Sequence, residues 1–162
     1  MSFDEDKIEN EMEKSQRYLQ FDLGNESYAI ALLNVKEVIP VPETTPLPNA
    51  PTYYIGIMNL RGQIISIVDL RKRLKINKKE DAEEAVIIVD FAGVSIGLVV
   101  DSINYVLNVA TSEITEVPEI RSQVNAQYVQ GVHRGQGKLT IMLDLAKALN
   151  ISEIAGLQKN AA

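Results

Sequence analysis

Short runs of alternating apolar and polar residues recur along most of the chain, which is the pattern of half-buried β-strands. In residues 17–23 every second side chain is apolar, and after a turn at 24–26 residues 27–31 return as a second strand. The same pattern predicts further strands at 54–60, 63–68, 85–91, 94–100, 103–109, 129–134 and 139–143. We therefore expect a chain made mainly of β-hairpins.

Helical signals are confined to short stretches. Residues 32–38 carry apolar side chains at helical spacing, which predicts one helical turn after the second strand. Asp69 and Asp144 each precede a short apolar run, so both are expected to be helix N-caps. The first would begin a helix at 70–74, and the second a C-terminal helix that reaches residue 154.

Five of the six prolines lie between residues 40 and 51. Proline lacks a backbone N–H and restricts the residue before it, so this stretch is expected to be neither a helix nor a central strand. It is predicted to be a stiff, extended surface segment. Two interpretations stay open, a rigid connector and a contact loop.

Two pairs of segments match in the same order along the chain, which indicates an internal duplication. Residues 28–38 match 96–106, and residues 56–74 match 131–149 without a gap. Strands this short close most easily into small barrels, which leave no exposed edge. The expected fold is all-β, with two five-stranded barrels and short helices that include a C-terminal helix.

The domain boundaries follow from this division. Residues 1–16 are acidic and are expected to be a flexible tail. Residues 17–80 would form the first barrel and residues 84–155 the second, together one domain at 17–155. Barrels this narrow are filled by their own side chains, so the cleft between them is the expected binding place.

Composition narrows the functional classes. The chain of 162 residues is 46% hydrophobic and 23% charged, with a net charge of −6 and no cysteine. The acidic balance argues against nucleic acid as a partner and against docking on anionic lipid. No apolar run approaches the length of a membrane span, and the acidic start does not resemble a signal peptide. We therefore expect a cytoplasmic protein without disulfides and without direct membrane insertion.

Catalytic equipment is not evident in the sequence. His133 is the only histidine and stands within a predicted strand, where a structural or surface role is the usual one. With one histidine and no cysteine, zinc would lack its favoured ligands, and no glycine-rich phosphate-binding motif is present. No catalytic residue, metal site or cofactor is predicted. Arg61 stands out instead, because a turn needs Gly62 but does not need an arginine beside it, and arginine is favoured at interface centres.

The sequence closely resembles the CheW family of chemotaxis coupling proteins. The most specific segment is GIMNLRGQIISIVDLR at 56–71, with the motif NLRG at 59–62 and DLR at 69–71. Further matching segments are YLQFDLG at 18–24, VKEVI at 35–39, VIIV at 86–89, GLVVD at 97–101 and LDL at 143–145. The resemblance covers residues 17–150. Ser66 departs from it, since the family commonly has proline there.

The resemblance implies a non-enzymatic scaffold with two partners, the regulatory domain of the histidine kinase CheA and the cytoplasmic tip of chemoreceptors. It also suggests that strands are exchanged between the two halves, in which case the linear boundary would not hold in three dimensions. The protein would be recruited to membrane-associated receptor arrays, and no obligate homo-oligomer is expected. The candidate partner-binding residues are Val35, Glu37, Val38, Gly56, Asn59, Arg61, Gly62 and Val99.

Two alternatives are kept. The first is a coupling protein of a chemosensory-like pathway that does not control motility, which the sequence does not separate from chemotaxis. The second is a small barrel that binds nucleic acid or a small ligand. Barrels of this size bind single strands through aromatic and basic side chains. The six tyrosines and three phenylalanines here are not interleaved with basic residues, which disfavours that alternative.

Overall fold

The computed structural model describes residues 15–116, 124–135 and 137–161. Eleven strands lie in these ranges, and all hairpins predicted from the sequence are present. The strands are β1 (Ser15–Leu23), β2 (Glu26–Ala31), β3 (Val35–Pro40), β4 (Tyr54–Leu60), β5 (Gln63–Asp69), β6 (Ala85–Phe91), β7 (Val94–Val100), β8 (Ser102–Ala110), β9 (Ile114–Thr115), β10 (Val129–Gly135) and β11 (Lys138–Leu143).

The described part of the chain also contains three short α-helices, each of which follows a strand or another helix. They are α1 (Leu70–Leu74), α2 (Leu145–Ala148) and α3 (Ile151–Asn160). Asp144 caps α2 as expected, but the predicted C-terminal helix is interrupted, because Leu149 is extended and Asn150 caps a second helix by accepting from the backbone N of Glu153. Three single 3-10 turns lie at Leu32–Asn34, Thr111–Glu113 and Ala126–Tyr128.

The helical turn predicted for residues 32–38 is only partly correct. The 3-10 turn ends at Asn34, and Val35–Pro40 forms strand β3. Local spacing favoured a helix, but β3 is fixed by antiparallel pairing with β6, a strand about fifty residues later in the chain. The proline-rich stretch is extended as predicted, and Thr45 forms a two-bond bridge to Ile57 along the outer edge of β4.

The strands form two sheets with the same internal order. The six-stranded sheet runs β8-β1-β2-β11-β10-β9, and the five-stranded sheet runs β3-β6-β7-β5-β4. In the first, β2 and β11 are parallel, and in the second, β5 and β7 are parallel. Since β9 has two residues, each sheet has five main strands, in agreement with the predicted architecture of two barrel-like units.

Sheet membership does not follow the linear division at residues 17–80 and 84–155. Each sheet takes the first hairpin of one repeat and the last three main strands of the other. The boundary between the halves therefore does not separate the two sheets, and the strand exchange suggested by the resemblance is present. The parallel pairs that create it join strands far apart in sequence, which period-2 patterns do not reveal.

The duplication extends to backbone detail. Gly56 and Gly131 both stand at a register shift between the first and second strand of their hairpin. A Cβ atom at Gly56 would lie 2.5 Å from the carbonyl oxygen of Thr45, and one at Gly131 would lie 2.9 Å from that of Thr115. Each glycine is therefore required where a second segment covers the edge of the hairpin.

The described residues form three apolar clusters. The largest lies between the sheets and contains residues of both, among them Phe21, Tyr28, Leu98 and Leu143. A second cluster belongs to the five-stranded sheet, and a third to the six-stranded sheet. Within the described ranges, no helix has the length and apolar character of a membrane span.

Candidate functional site

The turn between β4 and β5 places Arg61 on the rim of the five-stranded sheet. Arg61 and Gly62 have φ values of 50° and 87°, so both central residues are left-handed, as a type I′ hairpin turn requires. The Asn59 side chain steadies the turn, because its Oδ1 accepts from the Gly62 N–H at 2.9 Å. A left-handed arginine costs about 1 kcal/mol, so the turn itself does not favour this residue.

Arg61 is held by an acidic partner on another strand. Its Nη1 lies 3.1 Å and 3.0 Å from the two carboxylate oxygens of Glu37 on β3. Strands β3 and β4 are the two edges of the five-stranded sheet, so this ion pair spans the gap between the edges. The Arg61 side chain is 72% exposed. The pair therefore adds little to stability and leaves most of the guanidinium open to a partner.

A hollow of about 240 Å³ lies beside this ion pair. Its polar rim includes Lys36, whose Nζ lies 3.0 Å from Ser95 Oγ and 3.6 Å from a carboxylate oxygen of Asp90. Its floor is apolar, and the full lining consists of Lys36, Glu37, Leu60, Arg61, Gln63, Ile65, Ile88 and Ser95. A charged rim over an apolar floor is the usual composition of a protein-binding surface.

The valines of β3 differ in exposure. Val38 is 43% exposed and faces outwards, whereas Val35 is half-buried against the core between the sheets. Both lie on the edge strand that carries Glu37, so they continue the surface around Arg61. Gly62 is exposed, and a side chain there would meet no atom within 4 Å.

Two of the predicted site residues are not available for direct contact. Val99 is 1% exposed and packs in the cluster of the five-stranded sheet with Ile65 and Ile88. β7 is a central strand with neighbours on both sides, so Val99 lies inside the sheet and does not reach a partner-binding surface. Gly56 is buried beneath Thr45, so it admits the covering segment and does not form a surface.

Sequence reasoning missed Lys36 and Ser95. Lys36 was missed because residues 32–38 were interpreted as helical. In the strand that they partly form, side chains alternate between the two faces, and this alternation directs Lys36 towards Ser95. Ser95 corresponds to Ser27 in the repeat. Ser27 Oγ donates to Asp22 within its own hairpin, and Ser95 Oγ accepts from Lys36 on β3, the strand next to its hairpin. Comparing the repeats would therefore have pointed to Ser95.

His133 has a structural environment. It is 8% exposed, and its Nε2 lies 3.5 Å from a carboxylate oxygen of Glu113. The pKa of Glu113 is lowered, first by the Ala110 backbone N–H that it accepts and then by His133. The pair ties the 3-10 turn before β9 to the neighbouring strand β10.

Comparison with known proteins identifies the family. Residues 17–153 match the family model described as the CheW-like domain. The chain belongs to the CheW family. Chemotaxis protein CheW of Treponema pallidum is 32% identical over 142 residues, covering 85% of this chain and 84% of the relative. Chemotaxis protein CheW of Klebsiella aerogenes is 33% identical over 141 residues, covering 86% and 85%.

A solved CheW structure confirms the fold. The scaffolding protein TtCheW from Thermoanaerobacter tengcongensis superimposes with a TM-score of 0.75 at 30% identity, over 83% of this chain and 89% of that one. The all-β architecture of two barrel-like sheets is thus the CheW fold. The named relatives and this neighbour show a chemotaxis coupling scaffold, and none of them favours a nucleic-acid- or ligand-binding barrel.

Proposed function

We propose that the chain couples chemoreceptors to the histidine kinase CheA by binding both, and that it performs no reaction of its own. The observation that carries this proposal is the match to CheW over residues 17–153 together with a surface suited to protein contact. That surface consists of the Arg61 turn, Glu37 and the hollow beside their ion pair. We call it the rim surface.

The rim surface fits the regulatory domain of CheA. Arg61 donates to Glu37 through Nη1, which leaves the N–H groups on Nε and Nη2 for a partner. Arginine binds carboxylates and apolar faces with little loss of side-chain freedom, which is why it is common at interface centres. Below it, Ile65 and Ile88 are already buried, so a partner that covers the hollow would bury mainly Leu60 and the polar rim.

The receptor tip is proposed to dock along β3. Val38 presents an exposed apolar side chain on this edge. Val35, on the same strand, is half-buried and packs against the core between the sheets. An amphipathic helix laid against such a strip would bury apolar area by the helix-in-groove mode. Two different surfaces on one chain give heterologous contacts, which can close into rings or extend into arrays.

In this arrangement the protein acts through binding energy alone. A scaffold that contacts receptor and kinase together changes the relative stability of the kinase states, which is a coupling free energy between sites. The proposal includes action in the cytoplasm, at receptor arrays that lie on the membrane. The proposal also includes control of motility. A chemosensory pathway with another output would contradict that part of the proposal.

The test separates the two contacts by charge reversal and by apolar-to-acidic change. Arg61→Glu is expected to weaken capture of the CheA regulatory domain, and Val38→Asp to weaken capture of receptor tips. Arg134→Glu is the matched control, because Arg134 is an exposed arginine on the six-stranded sheet. Unchanged capture of both partners by both variants, with folding intact by circular dichroism, would contradict the assignment of the rim surface to CheA and of β3 to the receptor tip.

A further inference from the structure

A buried arginine in the first turn of α1 takes no part in the rim surface. Arg71 is 4% exposed, and its guanidinium is surrounded by three carboxylates. Its Nε lies 3.0 Å from Asp69 Oδ1, its Nη1 lies 2.7 Å from Asp101 Oδ1, and its Nη2 lies 2.7 Å from Glu84 Oε2. We call Asp69, Arg71, Glu84 and Asp101 the clamp.

Asp101 connects the clamp to both sheets. It stands between β7 of the five-stranded sheet and β8 of the six-stranded sheet, and it is 1% exposed. Its Oδ2 accepts from the backbone N–H of Gly24 at 2.7 Å and of Lys79 at 3.0 Å. Because Gly24 is in the β1–β2 turn, one carboxylate fastens the six-stranded sheet, the five-stranded sheet and the segment after α1 to each other.

The repeat shows that a helix cap does not require this arrangement. Asp144 caps α2 through the backbone N of Lys147, but the residue equivalent to Arg71 is Ala146, which is exposed. The other crossover between the sheets runs from β2 to β3 through Leu32–Asn34, where Leu33 is 97% exposed. Capping accounts for Asp69, whereas Arg71 and Asp101 form a feature present at one crossover and lacking at the other.

The clamp adds hydrogen bonds of fixed geometry to an otherwise apolar interface between the sheets. Burial alone would lower the pKa of Arg71, but its bonds to Asp69, Asp101 and Glu84 raise that pKa above its ordinary value, so the guanidinium stays charged. Apolar contact between the sheets provides adhesion that is roughly proportional to area and has no preferred direction. Hydrogen-bonded buried ions have strict geometry, and breaking one partner leaves a charge uncompensated.

We infer that the clamp fixes the orientation of the two sheets relative to one another, and that Arg71 and Asp101 are positioning residues for coupling. The part about coupling rests on the proposed function, and the part about orientation does not. Without touching a partner, the clamp would hold the rim surface at a set angle to the six-stranded sheet. Loss of the clamp should then reduce transmission of the signal more than binding of either partner.

Orientation can be measured with spin labels, because the chain has no cysteine of its own. Labels at Asn108→Cys and Ala92→Cys report the distance between the sheets, since both positions are exposed, Asn108 on β8 of the six-stranded sheet and Ala92 in the β6–β7 turn of the five-stranded sheet. Double electron–electron resonance should give one narrow distance distribution. Asp101→Asn keeps the size of the side chain and removes the charge, so the distribution should broaden or shift. An unchanged distribution would overturn the inference.

A control separates orientation from stability. Ile141→Val truncates a buried side chain of the apolar cluster between the sheets and leaves every bond of the clamp in place, so the distribution should stay narrow. Broadening by Ile141→Val equal to that of Asp101→Asn would also overturn the inference. If Asp101→Asn does not fold, Glu84→Gln serves in its place, because Glu84 is a more exposed partner of Arg71.

Coupling is tested with full-length kinase and receptor membranes. Asp101→Asn should lower receptor-dependent kinase stimulation by about tenfold while capture of each separate partner stays close to wild type. Equal losses of capture and stimulation would show a merely structural role and would refute the positioning role. Failure of the wild-type chain to capture either partner would refute the proposed function, and the distance measurement would still decide the orientation.

Discussion

The two sheets are built from equivalent strands, yet equivalent positions inside them have opposite polarity. In the six-stranded sheet, buried Gln20 donates its Nε2 hydrogen to Thr140 Oγ1 at 2.6 Å and accepts from Asn104 at 3.1 Å. The repeat places Ile88 and Ile65 at the positions of Gln20 and Thr140, and both isoleucines are buried in the five-stranded sheet.

The difference in polarity shows that the two sheets are held by different interactions inside. Below the rim surface the interior is apolar, so the hollow has a dry floor and every side chain there contributes by burial. The six-stranded sheet holds a polar network, in which each buried group needs its partner. The two sheets thus share their backbone pairing and differ in the polarity of their interiors.

The clamp gives the largest expected effect. Arg71→Met should destabilise the protein by about 3–5 kcal/mol, because it leaves Asp69 and Asp101 buried without their cation. The reverse change in the other repeat, Ala146→Arg, places a charge on an exposed helix position and should stay within about 0.5 kcal/mol. Urea unfolding followed by circular dichroism measures both. Similar values for the two variants would mean that the repeats are equivalent at this position.

The polar and apolar interiors can be compared by introducing valine at equivalent positions in the two sheets. Thr140→Val removes the acceptor of the buried Gln20 amide and should cost about 1–3 kcal/mol. Ile65→Val at the equivalent position removes one methylene and should cost about 0.5–1.5 kcal/mol. Adding Gln20→Leu to Thr140→Val should recover part of the loss, since both partners are then apolar. No recovery in this double variant would contradict a local network.

The two helix caps provide a smaller effect. Asp144→Ala should cost about 1 kcal/mol, the usual value for an N-cap whose carboxylate accepts one or two backbone N–H groups. Asp69→Ala should cost several times more, because Asp69 also pairs with Arg71 inside the clamp. Thermal unfolding of the two variants measures the difference, and equal shifts would argue that the ion pair contributes nothing at this site.

Local features were predictable from the sequence, and long-range ones were not. The hairpin turns, the Asp69 and Asp144 caps and the duplication follow from glycine, aspartate and period-2 patterns within short windows. The strand exchange depends on parallel pairs between distant segments, for which no local pattern exists. The clamp was missed, although comparing the repeats reveals Arg71 opposite Ala146 in the same way that it singled out Arg61.

The smallest effect concerns the turn that carries Arg61. Ala92 has a φ of 50° in the β6–β7 turn, where a glycine also follows, so Ala92→Asn should stabilise the protein by about 0.5 kcal/mol, because asparagine tolerates the left-handed region. Arg61→Asn should gain as much at the turn and lose up to about 1 kcal/mol with the exposed Glu37 pair, leaving stability nearly unchanged. Calorimetry measures both, with capture of the CheA regulatory domain as a second readout. If Arg61→Asn left capture as strong as Ala92→Asn does, the strained arginine would have no role in binding.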